Sequence, residues 1–422
     1  MSFARGVELR AALLLGIILA SCESAPTDPP IEPPIPVKET VPSQVVLNWQ
    51  GDPSTRMTIT WRDDGPEATG VLRFSYDPDR PIDQWRTLST TGFSFAETSA
   101  TLFRVELTGL EPDREYHVLI DHPTTPERFR FRTLPDRPDL RELVFLAGGD
   151  SRTRRDVRRE MNALAAAQEP DFIIFAGDFI ESPLSEWEWN EWFDDWHELL
   201  ITPEGRRIPV IPCIGNHEVL GGYNQSRNQA PFYYNRFALP EPQSHHALRL
   251  GPDLLLVTLD SDHTTPIAEQ VPWLERTLEM HGEVNFKLVQ YHVAAWPSVR
   301  DFNGERPVAI RDYWVPIFEQ HDVDLVIEAH DHAYKRTWPI RQGRRDDERG
   351  VIYTGDGGWG APLRTAKEPA RYWYLREAAT ADHFWKLTLS ADGRTLNVEP
   401  IFLGETLGTG FQLTTRRVMA LQ

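Results

Sequence analysis

Val323-Asp324-Leu325-Val326-Ile327-Glu328-Ala329-His330-Asp331-His332-Ala333-Tyr334 is the stretch whose reading decides the fold. A short apolar run rich in branched residues predicts a buried strand, and it ends in two histidines spaced i, i+2. On an extended backbone, side chains two apart leave the same face. Both imidazoles can therefore converge on one point, which is a metal-ligand geometry. Taken alone, the pair fits equally well with two polar residues at the place where a strand leaves the core.

The same pattern, an apolar run followed by a ligand-type residue, occurs four more times upstream. Leu143-Val144-Phe145-Leu146 leads to Gly149-Asp150, and Phe172-Ile173-Ile174-Phe175 leads to Gly177-Asp178. Val210 to Ile214 leads to Gly215-Asn216-His217-Glu218, and Phe286 to Tyr291 leads to His292. In α/β sheets, functional groups gather where the carboxyl ends of the strands open into a crevice. Ends carrying Asp, Asp, Asn, His and a His pair build a cage suited to hard and borderline divalent or trivalent ions.

The ordered set G-D, G-D, G-N-H-E, Y-H and H-x-H-A-Y resembles the calcineurin-like metallophosphoesterases, and in particular their purple acid phosphatase branch. The resemblance covers most of the chain after its leader. It implies an α/β four-layer sandwich, two β-sheets flanked by helices, over residues 140–403. It also implies a centre of two metal ions (Fe, Zn or Mn), with Asp178 bridging them. Asn216, His292 and His330 would complete one ion, and Asp150 and His332 the other. A hydroxide formed from water on the cations is the expected nucleophile. His217 is expected to hold the phosphoryl oxygens or to protonate the leaving alkoxide. Glu218 is a candidate to orient His217, with a capping or surface role as the other reading. Tyr334, Arg336 and Tyr233 or Tyr234 are weaker candidates around the substrate. The implied activity is hydrolysis of phosphate esters on a phosphorylated small molecule, phosphomonoesters being favoured. Phosphodiester or nucleotide hydrolysis at the same site is one alternative, and a non-catalytic surface-binding lipoprotein with a degenerate metal site is another.

The sequence departs from both patterns at the first ion. The histidine of the general Asp-x-His motif is replaced by Arg152. The tyrosine of the purple branch's G-D-x-x-Y, whose phenolate gives the colour, is replaced by Glu181. Glu181 is a candidate substitute ligand or near-ligand, which would favour a divalent ion and give no purple chromophore. In the other reading Arg152 pairs with Glu181, and only the second ion binds tightly. Arg152 is also a candidate substrate contact.

The remainder of the chain supplies an address and a support. Residues 1–21 read as a signal peptide: Arg5 and Arg10 precede an apolar run, Ala11 to Ala20, too short to span a bilayer. Leu19-Ala20-Ser21-Cys22 resembles a bacterial lipoprotein signal, so Cys22 is expected to carry lipid and tether an exported protein to a bacterial membrane. Glu23 lacks the aspartate associated with inner-membrane retention, which points to the outer membrane. With Cys22 lipidated, Cys213 has no partner and reads as a small core residue. Residues 22–42 are a proline-rich linker, stiff and extended. A formal charge of −19 argues against nucleic acid as a partner, because phosphate backbones need a basic footprint.

Residues 43–134 alternate in short strands broken by turn signals and resemble a fibronectin type III domain. Tyr116, after Leu107-Thr108-Gly109-Leu110-Glu111-Pro112, is expected to pack at a corner and hydrogen-bond the backbone. The expected role of this domain is support. In the α/β part, Arg152 to Gln168 predicts a helix with Val157, Met161, Leu164 and Gln168 inward. Its basic start (Arg152, Arg154, Arg155, Arg158 and Arg159) is a solvated face or an attractor of anionic substrate. Glu186 to Leu200 predicts a helix whose Trp189, Trp192, Phe193 and Trp196 face the core. Another helix is expected at Pro272 to Met280. Strands follow at Gly350 to Thr354, Phe384 to Leu389 and Leu396 to Phe402, with Gly355 to Gly358 expected as a flexible loop near the site. Residues 404–422 form a C-terminal tail with no readable signal.

Overall fold

The computed structural model describes residues 42–65, 68–138 and 140–415. The signal peptide, Cys22, the proline-rich linker up to residue 41 and the last seven residues of the tail (416–422) lie outside the described residues. No helix among the described residues is long and apolar enough to cross a membrane.

The first unit is an all-β sandwich. Strands β1 (Ser43–Asn48), β2 (Met57–Arg62), β3 (Thr69–Ser75), β4 (Arg86–Thr91), β5 (Leu102–Leu107), β6 (Glu115–Ile120) and β7 (Glu127–Arg132) form sheets ordered β1-β2-β5 and β4-β3-β6-β7. Residues alternating inward, such as Ile59 and Trp61 on β2 and Leu72 and Phe74 on β3, fill the core between them. Tyr116 sits at the predicted corner, where its hydroxyl accepts from the Glu111 amide at 2.8 Å. Polar bonds lock the sandwich to the α/β part. The Asn48 amide donates to the Val210 carbonyl at 2.6 Å, and Arg104 donates to the Asn235 carbonyl at 2.5 Å.

The α/β part begins with β8 (Leu143–Gly148), α1 (Arg155–Ala166), β9 (Phe172–Phe175), α2 (Glu186–Leu199) and β10 (Val210–Pro212). It continues through α3 (Pro231–Arg236), β11 (His246–Arg249), β12 (Leu254–Thr258), α4 (Val271–Met280), β13 (Phe286–Val293), α5 (Glu305–Tyr313), α6 (Val315–Gln320) and β14 (Leu325–Ala329). Then come β15 (Tyr334–Thr337), β16 (Ile340–Arg341), β17 (Arg344–Arg345), β18 (Ile352–Gly355), β19 (Leu375–Ala379), β20 (His383–Leu389), β21 (Thr395–Phe402) and β22 (Phe411–Thr414). Two mixed sheets result, ordered β10-β9-β8-β20-β21-β22 and β11-β12-β13-β14-β18-β15-β19.

Period-2 alternation assigns the layers. Phe145, Phe172 and Ile174 from one sheet meet Leu256, Leu288, Leu325 and Ile327 from the other. The opposite faces pack outward: Leu146, Ile173 and Phe175 lie against α1 and α2, and Val257, Val289 and Val326 lie against α4 to α6. Strands covered on both faces read as continuous apolar runs, which is why Phe172 to Phe175 shows no polar position. The arrangement is the expected four-layer sandwich.

Some local expectations need correction. Helix α1 buries Arg158, Met161, Asn162, Ala165 and Ala166, so its inward face is rotated from the predicted one, with Val157 and Leu164 at the margin. The rotation has an electrostatic cause. Asp195 on α2 is buried and receives Arg155 at 2.9 Å, Arg158 at 2.6 Å and Arg159 at 2.6 Å. Arg154 pairs with Asp382. Arg158 is thus turned into the core, while Arg154, Arg155 and Arg159 stay partly exposed as the solvated reading has it, with their charges already paired to carboxylates. Gly355 to Gly358 is buried rather than a loose loop. The tail contributes β22, which extends the first sheet beside β21.

Removing the Asp195 carboxylate leaves the buried Arg158 charge uncompensated. Asp195→Ala is therefore expected to cost about 3–5 kcal/mol in chemical denaturation. The three guanidinium groups hold Asp195 below its ordinary range against the opposing effect of burial. Its contribution is present above the unfolded-state value near 3.8 and is lost as pH falls below it. Melting curves taken below about pH 4 should fall more steeply for the native chain than for Asp195→Asn. Parallel curves would remove the pair from the stability of the domain.

Candidate metal centre

Each strand end delivers its residue by a tight turn. Asp150 (φ 58°), Asp178 (φ 56°), His330 (φ 78°) and His332 (φ 58°) all sit in the left-handed region, which costs a non-glycine residue on the order of 1 kcal/mol or more. Hydrogen bonds hold them there. The Asp150 amide donates to the Gly177 carbonyl (2.9 Å), the His330 amide to Asp150 Oδ2 (2.8 Å), and the His332 amide to the Asp356 carbonyl (2.7 Å). The two histidines therefore leave the strand by turning, not by alternation along an extended backbone, and they diverge to different clusters. Gly357, at φ 80°, closes the cage from behind: a Cβ there would collide with Asp150 Oδ2.

Two donor clusters share Asp178. Asp178, His292 and His330 form one, Asp150, Asp178 and His332 the other, and within each the ligand atoms lie within 4.8 Å of one another. Asn216 joins the first, its Oδ1 at 3.1 Å from His292 Nε2. His292 Nε2 also faces His330 Nδ1 at 3.1 Å and Asp178 Oδ1 at 3.3 Å, and His332 Nε2 faces Asp150 Oδ1 at 3.1 Å. All of these side chains except Asn216 are buried.

Backbone carbonyls assign the tautomers. His292 Nδ1 donates to the Ala176 carbonyl at 2.8 Å, and His332 Nδ1 donates to the Pro362 carbonyl at 2.9 Å. In the neutral rings each Nε2 then turns a lone pair toward carboxylate oxygens. Burial, His292 and Arg300 push His330 well below its ordinary value, whereas against burial the Asp178 charge and hydrogen bond raise His292 to about 9, so that without a cation its Nε2 holds a proton toward Asp178. Asp150 Oδ1 and Asp178 Oδ2 are buried with no hydrogen-bond partner among the described residues. Buried carboxylate oxygens without partners, faced by imidazole nitrogens, fit bound cations that would take the place of the His292 proton, and the mixture of carboxylate, amide and imidazole suits transition ions.

His217 stands at the mouth of the cage. Its Nδ1 donates to the Glu181 carbonyl at 2.7 Å, which turns Nε2 toward Asp178 Oδ2 at 3.9 Å. Glu218 does not orient His217 and is not on the surface. Fully buried, it accepts from the amides of Gly215 (2.7 Å), Asp178 (2.9 Å) and Phe179 (2.8 Å), clamping two ligand turns together. Burial and the Asp178 charge push Glu218 up to about 8.

Glu181 lies outside both clusters, contrary to its candidacy as a ligand. Its carboxylate bonds Arg152 Nη1, and Arg152 Nε lies 3.8 Å from Asp178 Oδ2. Arg152 thus pairs with Glu181 beside the shared Asp178, the pairing that the second reading of the sequence expected. Tyr334 is likewise away from the centre: its hydroxyl donates to Glu377 at 2.6 Å and its ring stacks on Trp385. Arg336 lies over Phe411, 3.8 Å from the ring centroid. Tyr233 donates to the Pro212 carbonyl, and Tyr234 shares a hydrogen bond with Thr264. All four hold the fold.

Sequence reasoning missed another group. Tyr223 Oη lies 3.4 Å from Asn216 Oδ1 and 3.5 Å from His330 Nε2. Arg306 stacks over the Tyr223 ring at 3.5 Å, and Arg300 and Arg364 each reach the His330 carbonyl, at 3.4 and 3.3 Å. Tyr223, Arg300 and Arg364 sit in loops without periodicity, and Arg306 lies in the first turn of α5. Their one signal is proximity in sequence to ligand-bearing strand ends.

With the geometry established, two family profiles match the chain: "Purple acid Phosphatase, N-terminal domain" over residues 42–133, and "Calcineurin-like phosphoesterase" over residues 145–334. An uncharacterized protein of Mycobacterium tuberculosis is 28% identical over 298 residues, 61% of this chain; the match spans only 54% of that relative. Acid phosphatase type 7 of Homo sapiens is 25% identical over 71% of each chain. Among solved structures, the purple acid phosphatase PPD1 of yellow lupin (Lupinus luteus) superposes with a TM-score of 0.74 at 15% identity, covering 92% of this chain and 76% of that one. PhoD gives 0.71 at 12% identity, over 90% and 92%. The structural likenesses establish the fold, and the profiles identify the two domains: residues 145–334 match the calcineurin-like phosphoesterases, behind a domain at 42–133 that matches the purple acid phosphatase N-terminal domain.

Proposed function

We propose that the protein is a metal-dependent hydrolase of phosphate esters, phosphomonoesters being preferred, tethered to the outer membrane of a bacterium through lipid on Cys22. The reading rests on one observation above the rest: lone pairs of fixed tautomers and unpartnered carboxylate oxygens converge in two clusters that share Asp178. The sequence around Leu19 to Cys22 supports the tether, and the acid phosphatase relatives support the substrate class.

Cations held by Asp150, Asp178, Asn216, His292, His330 and His332 would supply an acidified water and positive charge against the phosphoryl oxygens. The chain's own residues provide the rest. Asp178 keeps the two clusters at a fixed spacing, and its turn is set by Glu218. His217, oriented by the Glu181 carbonyl, carries a proton on Nε2 when charged. It is placed to donate that proton to a phosphoryl oxygen or to the departing alkoxide. Arg152 brings a fixed positive charge beside Asp178 and His332, so the Asp150 side of the centre combines three protein ligands with a guanidinium.

Chelation should abolish hydrolysis of p-nitrophenyl phosphate, and added Zn²⁺, Mn²⁺ or Fe should restore it; activity that survives exhaustive chelation refutes the proposal. Asp178→Ala is expected to lose both ions by elemental analysis, whereas His292→Ala loses the one on its own side. His217→Ala should keep its metal while kcat falls roughly 10²–10⁴-fold. Because its carboxylate engages Arg152, Glu181→Ala should bind as much metal as the native chain, and a lower content would return Glu181 to the ligand set.

A further inference from the structure

Beside the ligand turns lies a charged cluster that neither the hydrophobic core nor the proposed reaction uses. Lys335, on β15 just after the turn of His332, is fully buried. An ammonium offers three N–H donors, and each here meets an oxygen. The acceptors are Glu328 Oε2 on β14, Asp356 Oδ2 just past β18 at 3.0 Å, and the Trp296 carbonyl past β13 at 3.1 Å. Glu328 and Asp356 are buried too, so two carboxylates share one ammonium away from water. Apolar side chains of similar volume commonly stabilise a core as well as such a cluster does, or better. Stability alone does not account for it.

Its connections run mainly to one side of the centre. The Asp356 carbonyl accepts from the His332 amide at 2.7 Å, and the Asp356 amide donates to the Ala333 carbonyl at 2.6 Å. The next residue is Gly357, packed so closely on Asp150 that a Cβ would collide with Oδ2. Asp356 therefore meets the turn of His332 through its own backbone and the Asp150 carboxylate through its neighbour. Its side chain is held by Lys335 and by the Ser298 hydroxyl, which donates to Oδ2 at 2.9 Å. His292 is anchored differently, within β13 and by its ring bond to the Ala176 carbonyl. Glu328 does reach β13, where the Tyr291 hydroxyl and the Ala295 amide each donate to Oε1 at 2.7 Å. Those bonds do not involve the oxygen that Lys335 takes.

We infer that Lys335 is a positioning residue for the metal centre: through Asp356 it sets the placement of His332 and Asp150, and so governs the ion on that side rather than the one on the His292 side. The inference rests on the metal-centre reading above and deepens it. Without the ammonium, two buried carboxylates lose their shared cation, and the Asp356–Gly357 segment shifts from its place against His332 and Asp150. Arg152 already brings a positive charge to this side, so an ion there tolerates little loss of ligand geometry.

The test strips the full chain with chelator and titrates it with Zn²⁺ by calorimetry, with elemental analysis after dialysis. The native chain is expected to take up two ions. Lys335→Met should bind one with near-native affinity and the other about 10–100-fold more weakly. His292→Ala assigns the sides, because the ion it keeps is the one on the Asp150 side. Adding Lys335→Met to that variant should weaken the remaining ion by the same factor. Ser298→Ala removes only a hydroxyl from Asp356 and should weaken the same ion about threefold or more. It decides alone if Lys335→Met does not fold. Asp113→Ala controls for lost stability, since it takes a shared carboxylate from Arg132 and Arg141. Its melting temperature should fall while both affinities stay native. Equal weakening of both ions, weakening of neither, or weakening confined to the ion that His292→Ala loses overturns the inference. A native chain that takes up a single ion sinks this inference only, and one that takes up none sinks the metal-centre reading with it.

Discussion

Acceptor facing acceptor across a dry gap is the constraint on which the rest of the molecule depends. His292 Nε2 and His332 Nε2 are turned onto Asp178 and Asp150 because their other nitrogens are already committed to backbone carbonyls. Without cations, protons must do the compensating in this medium of low dielectric constant, and the Asp178 charge accordingly raises His292 to about 9. Cations change the sign of every one of these contacts. The surrounding devices, namely the left-handed turns, the Glu218 clamp and the close approach of Gly357, make sense as means of fixing acceptors where no protein contact rewards them.

The layered architecture was legible because burial on both faces leaves an unmistakable apolar run, and because ligand-type residues punctuate the ends of those runs. Leu325 to Ala329 followed by His330 carried that information only together with the four upstream repeats of the same pattern. The helix faces were less legible. Asp195, in a stretch dominated by tryptophan, recruits three arginines from the neighbouring helix and turns Arg158 inward, where a hydrophobic stripe alone would place Val157. Strand β22 escaped notice because an edge strand half open to solvent needs little apolar content.

At the centre, the order of the strand ends gave away the converging residues, whereas the direction in which each side chain points was hidden. Arg152 and Glu181 are the instructive pair. Either could be assigned a ligand-like role by position, yet a guanidinium and a carboxylate within reach of one another satisfy each other first. Tyr334 and Arg336 show the opposite error. They follow the ligand turn directly, but β15 carries them into the sheet, where Glu377 and Phe411 take them up. Tyr223, Arg306 and Arg364 could not be read at all, because two loops and the first turn of α5 bring them in from distant positions without periodicity.

The six ligands are divided between the sheets. Asp150, Asp178 and Asn216 follow β8, β9 and β10, while His292 lies on β13 and His330 and His332 follow β14. Bound cations would therefore rivet two half-domains together, adding coordinate bonding to apolar contact at that edge. Loss of metal would then loosen the architecture itself, so that the supply of ions would set how long the chain survives proteases.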